Sequence, residues 1–392
     1  MAGLLRRSLP LLVVALVWAL LAVPAGACPF CSGQGQTLTD EVGTASMVIY
    51  GQLANANEGN ETTDLKIEAV VKDHAYLRGK KVVTLSRYVP PAEGDQYRYL
   101  VFCDFFKDKL DPYRGLAVKK GSDMPGYLKG ALELKDARMD RKLKFFFQYL
   151  DNDDAEISND AYKFFANTDY RDYRETFKSL PAAKVIKWLE DEKTASFRYG
   201  LYASMLGHCG KPEDAKVLRA MLEDPDKKVT SGVDGILAGY TMLKPKEGWE
   251  YVRGTLKDKD KEFLMRYAAL RTVRFLWEYR PDLVAKKELA MGVAQLLSQD
   301  DIADLAVEDL RKWGVWEKTD QVLGLQKSEA YKTPIVRRSV LRFALSCPNN
   351  KAAAAYVAEQ RKADPASVRD AEELLKLEQS AAPATPPAGT GK

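Results

Sequence analysis

The chain has 392 residues, of which 46% are hydrophobic and 29% are charged, a balance typical of a folded protein. Its formal net charge is only +4 and the two signs are interspersed, so no basic block indicates nucleic-acid binding. His74 and His208 are the only histidines, which nearly excludes histidine-based metal sites and most hydrolytic triads.

Residues 1–27 carry the three parts of an export signal. Arg6-Arg7 supply the positive start, residues 9–23 the apolar middle, and Ala25-Gly26-Ala27 a small-residue cleavage site. An uncleaved membrane anchor is the alternative, but the apolar run is short for a span of about 20 residues. We expect cleavage after Ala27 and an exported protein, located in the periplasm, in the cell envelope or outside the cell.

From Ala45 to Val118 the hydrophobic pattern alternates with period two, which predicts β-strands separated by turns rich in Gly, Asn, Pro and Asp. Four or five short strands favour a small antiparallel β-barrel, because closure removes exposed sheet edges. The strands expected are Met47–Leu53, Leu65–Lys72, Lys81–Tyr88 and Tyr97–Cys103.

After about residue 136 the period becomes helical and a phrase recurs, in which a Leu precedes an acidic or Pro-containing turn. The spacing averages about 35 residues, which is typical of helix-pair repeats whose apolar faces are buried only by stacking. Arg198, Arg266 and Arg337 recur just inside the second helix of a pair. The phrases begin at Leu150, Leu189, Leu222, Leu256, Leu297 and Leu325.

These patterns predict an α+β multidomain protein with four segments. Residues 1–27 form the signal peptide, residues 28–125 a disulfide-tied barrel, and residues 136–379 an all-α solenoid of about six helix pairs. Residues 380–392 are rich in Ala, Pro, Thr and Gly and are expected to be a disordered tail.

The repeat phrases resemble HEAT repeats of the short bacterial type, in which an acidic turn precedes the second helix. The resemblance covers roughly residues 138–378; LEDPDKKV at Leu222 fits well, whereas the units at Leu297 and Leu325 fit poorly and are interpreted as capping units. It implies a solenoid that binds other proteins on its concave face and implies no catalysis.

Residues 28–118 resemble a netrin-type module, the OB-like barrel of the tissue inhibitors of metalloproteinases. The features that match are Cys28 with Cys31, the strand from Ala45 to Gly51, and GDQYRYLVFC from Gly94 to Cys103. The chain departs from that family by having Cys-x-x-Cys in place of Cys-x-Cys, and by lacking most of its other cysteines. Inhibition of a metalloprotease through the amine of a mature N-terminal Cys28 is therefore an alternative function.

The CPFC sequence at Cys28 and Cys31 has several interpretations. A disulfide from either cysteine to Cys103 would close a loop of about 75 residues and stabilise the barrel by roughly 4 kcal/mol. Lipid attachment at Cys28 is a second interpretation, because Ala-Gly-Ala-Cys is close to a lipobox. A thiol-disulfide oxidoreductase site is a third, although no strand precedes Cys28 once the signal is removed. Cys209 and Cys347 are expected to be buried thiols.

We therefore predict an exported, non-enzymatic interaction scaffold that binds a protein or peptide, with no cofactor, no metal and no catalytic residues. Nucleic acid is not expected as a partner, and a membrane is expected only if Cys28 is lipidated. Metalloprotease inhibition and thiol-disulfide exchange are the alternatives. The sequence names neither the partner nor the oligomeric state.

Overall fold

The computed structural model describes residues 28–91, 94–107, 109–224 and 231–381. The predicted signal peptide lies outside the described residues, as does the predicted tail except for its first two residues, which end the last helix. Within these ranges the chain forms a five-stranded antiparallel sheet and seventeen α-helices, sixteen of which follow the sheet. It divides into two compact units, the first ending at Leu180 and the second starting at Pro181.

The α+β layout with the sheet first was predicted, but the first unit extends well beyond the expected barrel boundary at residue 125. The strands follow the order β3-β2-β1-β4-β5 and all neighbours are antiparallel. Their bounds are β1 Met47–Asn57, β2 Thr62–Lys72, β3 Val82–Leu85, β4 Tyr97–Phe106 and β5 Lys109–Lys119.

The sheet is open, so the prediction of a closed barrel was wrong. Strand β3 has only four residues, too few to be paired with β2 on one side and to continue the ladder to β5. The two edges lie near each other without forming a ladder: the hydroxyl of Ser86 lies 3.4 Å from the carbonyl oxygen of Leu110, and Arg87 lies 3.9 Å from Asp111.

Both faces of the two central strands are buried, which explains why they have few polar residues. One face encloses a core that includes Met47, Ile49 and Cys103, each with no measurable exposure. The alternate residues Val48 and Phe102 are also completely buried on the other face. The first helix after the sheet packs against β2.

The helices of the first unit are short and amphipathic, and they pack on one another in sequence order. Helix α1 precedes the sheet and contacts α2, and α3 contacts both α4 and α5. Their bounds are α1 Leu38–Thr44, α2 Met124–Glu133, α3 Met139–Phe147, α4 Ala155–Ala166 and α5 Tyr170–Phe177.

The helices of the second unit contact the next helix, the next but one, or both, which is the contact pattern of helix hairpins packed side by side. Their bounds are α6 Ala182–Glu190, α7 Tyr199–Cys209, α8 Ala215–Glu223, α9 Val233–Leu243, α10 Pro245–Lys257, α11 Phe263–Tyr279, α12 Lys286–Ala294, α13 Ala303–Lys312, α14 Thr319–Gly324, α15 Pro334–Ser346, α16 Lys351–Ala363 and α17 Pro365–Ala381.

Five of the six recurring phrases lie where one helix ends and the next begins, and most of the phrase at Leu222 lies outside the described residues. The acidic turns do not all cap the following helix as predicted: Asp154 accepts a hydrogen bond from the amide of Glu156 at the start of α4, whereas α11 and α15 begin without a side-chain cap. The turn acids are therefore mainly solvated surface residues.

Two second helices of consecutive pairs, α7 and α9, approach so closely that only glycine fits between them. A Cβ atom on Gly235 would overlap the backbone of Gly200, and a Cβ atom on Gly239 would overlap the backbone of Ala203. The two members of each contact are 35 or 36 residues apart in the sequence, so the packing follows the period of the repeat.

Candidate functional site

The cysteine segment begins with a disulfide between Cys28 and Cys31, whose Cα atoms are 5.4 Å apart. The amide of Cys31 also donates to the carbonyl oxygen of Cys28 at 3.4 Å, so the four residues form a tight turn. Cys28 is 3% exposed and Phe30 is 4% exposed, which places one side of this turn against the body of the first unit.

The predicted bridge from this pair to Cys103 was wrong, since Cys103 is a free thiol. It lies opposite Met47 on the inward face of β4, inside the core of the sheet, whereas the Cys28–Cys31 turn lies against α4. Burial raises the pKa of the Cys103 thiol to about 12, so it stays protonated at neutral pH and packs as a small apolar side chain.

The segment that follows the disulfide is fixed to α4 by backbone hydrogen bonds. The amide of Cys28 donates to the carbonyl oxygen of Ala166 at 3.1 Å, and the amide of Ser32 donates to the hydroxyl of Tyr162 at 3.2 Å. The side-chain amide of Asn167 makes two hydrogen bonds to the backbone of Gly35. Its oxygen accepts from the Gly35 amide at 3.2 Å, and its nitrogen donates to the Gly35 carbonyl oxygen at 2.8 Å.

Asp160 is the polar centre of this attachment and is 3% exposed. Its carboxylate accepts from the amide of Leu38 at 2.5 Å, from the hydroxyl of Thr39 at 2.8 Å and from the hydroxyl of Tyr127 at 2.7 Å. Burial raises the pKa of Asp160 above its ordinary value, and the donated hydrogen bonds oppose that rise. Sequence analysis missed this residue because nothing in the local pattern marks it.

The burial and bonding of Cys28 oppose both metalloprotease inhibition and lipid attachment at this residue. Its buried position and the bond of its amide to Ala166 do not present it to the zinc of an external protease. Its sulfur is bonded to Cys31, and a sulfur in a disulfide cannot also carry a thioether-linked lipid. Cleavage at Ala27 lies outside the described residues. Lipid attachment thus stays a prediction that requires the reduced pair.

The pair also lacks the surroundings of a thioredoxin-like site, in which the start of a helix lowers the pKa of the thiol. Here the first helix begins only at Leu38, seven positions after Cys31. The remaining cysteines do not form a second centre. Cys209 is half-buried with a pKa raised by burial to about 11, and the sulfur of Cys347 lies 3.4 Å from the hydroxyl of Thr319.

In the second unit, charged side chains link one helix pair to the next. Arg266 is 4% exposed and contacts Asp301 through two hydrogen bonds, at 2.8 and 2.6 Å, which lower the pKa of that carboxyl. Arg274 contacts both oxygens of Asp309 at 3.0 and 2.7 Å. The two residues of each ion pair are 35 positions apart in the sequence. One repeat spacing therefore connects α11 to the following helix pair at two places.

Arg266 and Arg337 occupy equivalent positions. The side chain of each donates to the carbonyl oxygen five residues earlier, to Lys261 and Lys332 respectively, at 2.9 Å in both cases. Two residues before each arginine stands an exposed apolar side chain, Leu264 at 60% and Ile335 at 57%. Leu264 and Ile335 are therefore exposed apolar side chains at matching places in two repeats.

The structure places no metal-binding cluster in its described ranges, where no group of three or more His, Cys, Asp or Glu residues could hold an ion. Among the same residues, no helix has both the length and the apolar character needed to cross a membrane.

No family model matches the chain, and no curated protein matches it, so the netrin and HEAT resemblances remain predictions. Among solved structures, the chain is similar to human deoxyhypusine hydroxylase in complex with glycerol. The match has 14% sequence identity and a TM-score of 0.26, and covers 64% of this chain and 91% of that one. A likeness this weak assigns no residue and no reaction to this chain.

The prediction that the chain is not an enzyme was nevertheless wrong as it was reasoned. It rested on the repeat spacing together with the absence of any catalytic set in the sequence, and the finding against it is that the protein matched is a hydroxylase, which is an enzyme. The helical architecture therefore gives no ground for excluding catalysis here.

Proposed function

We propose that the protein is an exported scaffold whose helix pairs form a HEAT-type solenoid and bind a protein or peptide partner across several repeats. The observation that carries the proposal is the pair of exposed apolar residues, Leu264 and Ile335, at equivalent places in α11 and α15. Phe263, which is 40% exposed, enlarges the first of these positions. We call these three residues the apolar edge.

The apolar edge supports a partner that is extended. Helix α15 lies two repeats after α11, which corresponds to roughly 20 Å if each repeat adds about 10 Å along the stack. An extended chain covers that distance with about six residues at 3.3 Å each. At the equivalent second position of the intervening helix α13 stands the acidic Asp304, so the partner would place its apolar side chains at two separated points.

The ion pairs and ring contacts between repeats support the proposal because they hold the helix pairs at a fixed spacing. A binding edge spread over several helix pairs keeps its spacing only if the pairs hold a fixed register. The Arg266–Asp301 and Arg274–Asp309 contacts join adjacent pairs in that way, and the rings of Trp277 and Trp313 stack at 4.2 Å along the same interval.

The test is site-specific photo-crosslinking of the full chain in its own host, with the crosslinking residue at position 264 or 335. We expect a discrete adduct from each of these two positions. A crosslinker at position 263 should also give the adduct, and that adduct should be lost when Leu264→Asp and Ile335→Asp are combined in the same chain. Lys246 is the matched control, because it is exposed in the first turn of a first helix, α10.

The same adduct from position 246, or an adduct that survives the double substitution, would contradict the proposal. Circular dichroism of each variant separates loss of binding from loss of folding.

A further inference from the structure

One end of the sheet combines aromatic rings from the β2–β3 loop and from the end of strand β4. The ring of Phe105, near the end of β4, stacks on His74 with centroids 4.2 Å apart and lies 5.4 Å from the ring of Tyr76. The connection from β2 to β3 and the turn from β4 to β5 are therefore held side by side. Together they line an open cavity of about 560 Å³, which also contacts Arg78 and Lys80.

The same end carries five exposed cations that form no ion pair with the described part of the chain, namely Arg78, Lys80, Lys81, Lys107 and Lys109. Two of them contact rings instead of carboxylates: the Lys80 ammonium lies 3.6 Å from the centre of the Tyr76 ring, and Lys107 lies 5.2 Å from that of Phe106.

Two acids beside these cations, Asp73 and Asp104, have local partners in the described part of the chain. Asp73 accepts from the amide of His74 at 2.8 Å, and Asp104 accepts from the amide and hydroxyl of Ser46 at 2.9 Å. Asp108 stands between Lys107 and Lys109 in the sequence and offsets part of their charge, so Arg78, Lys80 and Lys81 are the cations most available to an anionic partner.

Phe106 is the last residue of β4, paired with Lys109 beside the β4–β5 turn, and 67% of its surface is exposed. It is the most exposed of the large hydrophobic residues in the described ranges. A ring that projects beyond the sheet and is surrounded by lysines has the arrangement of an interfacial anchor, in which the ring enters the headgroup layer and the cations meet lipid phosphates.

We propose that this end of the sheet docks on an anionic phospholipid surface. Phe106 enters the interface, Lys80, Lys81, Lys107 and Lys109 lie at the level of the headgroups, and the cavity beside Arg78 receives a headgroup phosphate. An acidic protein would be the other partner for such charges, but the apolar residue stands on a projecting turn and not in a groove that a second protein would fill.

The experiment is sedimentation of the mature full chain with vesicles of phosphatidylcholine alone or mixed with an equal amount of phosphatidylglycerol. We expect binding only to the mixed vesicles, and its loss at about 1 M salt, where the Debye length is about 3 Å. Lys80→Ala should weaken binding about fivefold, since one lysine near the surface contributes about 1 kcal/mol. Phe106→Ser should weaken it at least as much, and Lys80→Glu more than Lys80→Ala.

The matched control uses the opposite end of the same strand pair, where Tyr97 is 41% exposed and stands opposite Lys119. Tyr97→Ser and Lys119→Ala should leave vesicle binding unchanged. Equal binding to both kinds of vesicle, equal losses from the two ends, or binding that appears only when an envelope protein is added would each overturn the proposal.

Discussion

The N-terminal segment and the helical second unit are both held by polar side-chain contacts, but at very different sequence distances. Residues 35–39 meet α4 through contacts that span 121 to 132 positions, and each of these occurs once. The links between helix pairs, such as Arg266–Asp301 and Arg274–Asp309, span 35 positions and follow the repeat. Periodic contacts leave a trace in the sequence, whereas a single long-range contact leaves none.

The two regions also differ in what stabilises a buried charged side chain. The three donors that the structure gives Asp160 are all neutral, so its charge is stabilised by hydrogen bonds alone. Arg266 is buried against a carboxylate that is half-exposed, so its partner keeps much of its hydration. The loss of Asp160 should therefore damage its unit more than the loss of Arg266 damages the other.

The largest expected effect follows from Asp160→Ala. Leu38, Thr39 and Tyr127 would lose their acceptor, and unpaired buried donors cost about 1–3 kcal/mol each, partly offset by removal of a buried charge. We expect the free energy of unfolding of the first unit to fall by roughly 4 kcal/mol. Hydrogen exchange should show lost protection in residues 28–180 and unchanged protection in residues 181–381; equal loss in both units would contradict the comparison.

Gly235→Val tests the second unit in the same way. Its added side chain would overlap the backbone of Gly200, which cannot move without separating α7 from α9. Overpacking of this kind typically costs about 1–3 kcal/mol, and we expect the upper end. Gly254→Ala is the control, because nothing lies within 4 Å of its added Cβ, and chemical denaturation should show it to be neutral or stabilising.

Arg266→Met should destabilise the second unit by roughly 2 kcal/mol, as it removes charge-assisted hydrogen bonds from a buried side chain. The equivalent but exposed Arg337→Met should cost less than about 0.5 kcal/mol. Urea denaturation of both variants measures the two losses in free energy of unfolding and so checks the expected difference. Similar losses would mean that burial does not distinguish the two positions.

Replacing both Cys28 and Cys31 by serine should cost the first unit about 1–2 kcal/mol, since the ring that the disulfide closes is very short. Thermal unfolding with and without reductant checks this: reductant should destabilise the wild type and leave the double variant unchanged. Peptide mapping under non-reducing conditions that found Cys103 joined to either cysteine would refute the pairing.

The smallest expected effect is the pH dependence due to Asp160. Burial holds its pKa in the folded state above the ordinary 3.8, so the folded state binds its proton more tightly than the unfolded state does. Its contribution to stability is therefore fully present below about pH 3.8 and falls as the pH rises through the raised pKa. Asp160→Asn should remove this slope from the melting curves of the first unit; an unchanged slope would exclude Asp160 as its source.

The sequence indicated the positions of four strands to within a few residues at most of their ends. It also placed the six junctions between helices, because alternation of period two and helical periodicity are local consequences of burying one face. The fate of the cysteines was not predictable. The period-two pattern around Cys103 is the same whether its thiol is buried in the core or bonded to another cysteine. Only the packing of the sheet shows that the thiol is in the core.

What the sequence by itself determined is therefore the order of sheet and helices, and the spacing of about 35 residues between the repeating turns. Tertiary structure alone decided that the sheet stays open, that Cys28 pairs with Cys31, and that Asp160 fixes the N-terminal segment. The physical reason is that burial patterns repeat along the chain. The partner of a single buried carboxylate or thiol, by contrast, depends on which distant surfaces come together when the chain folds.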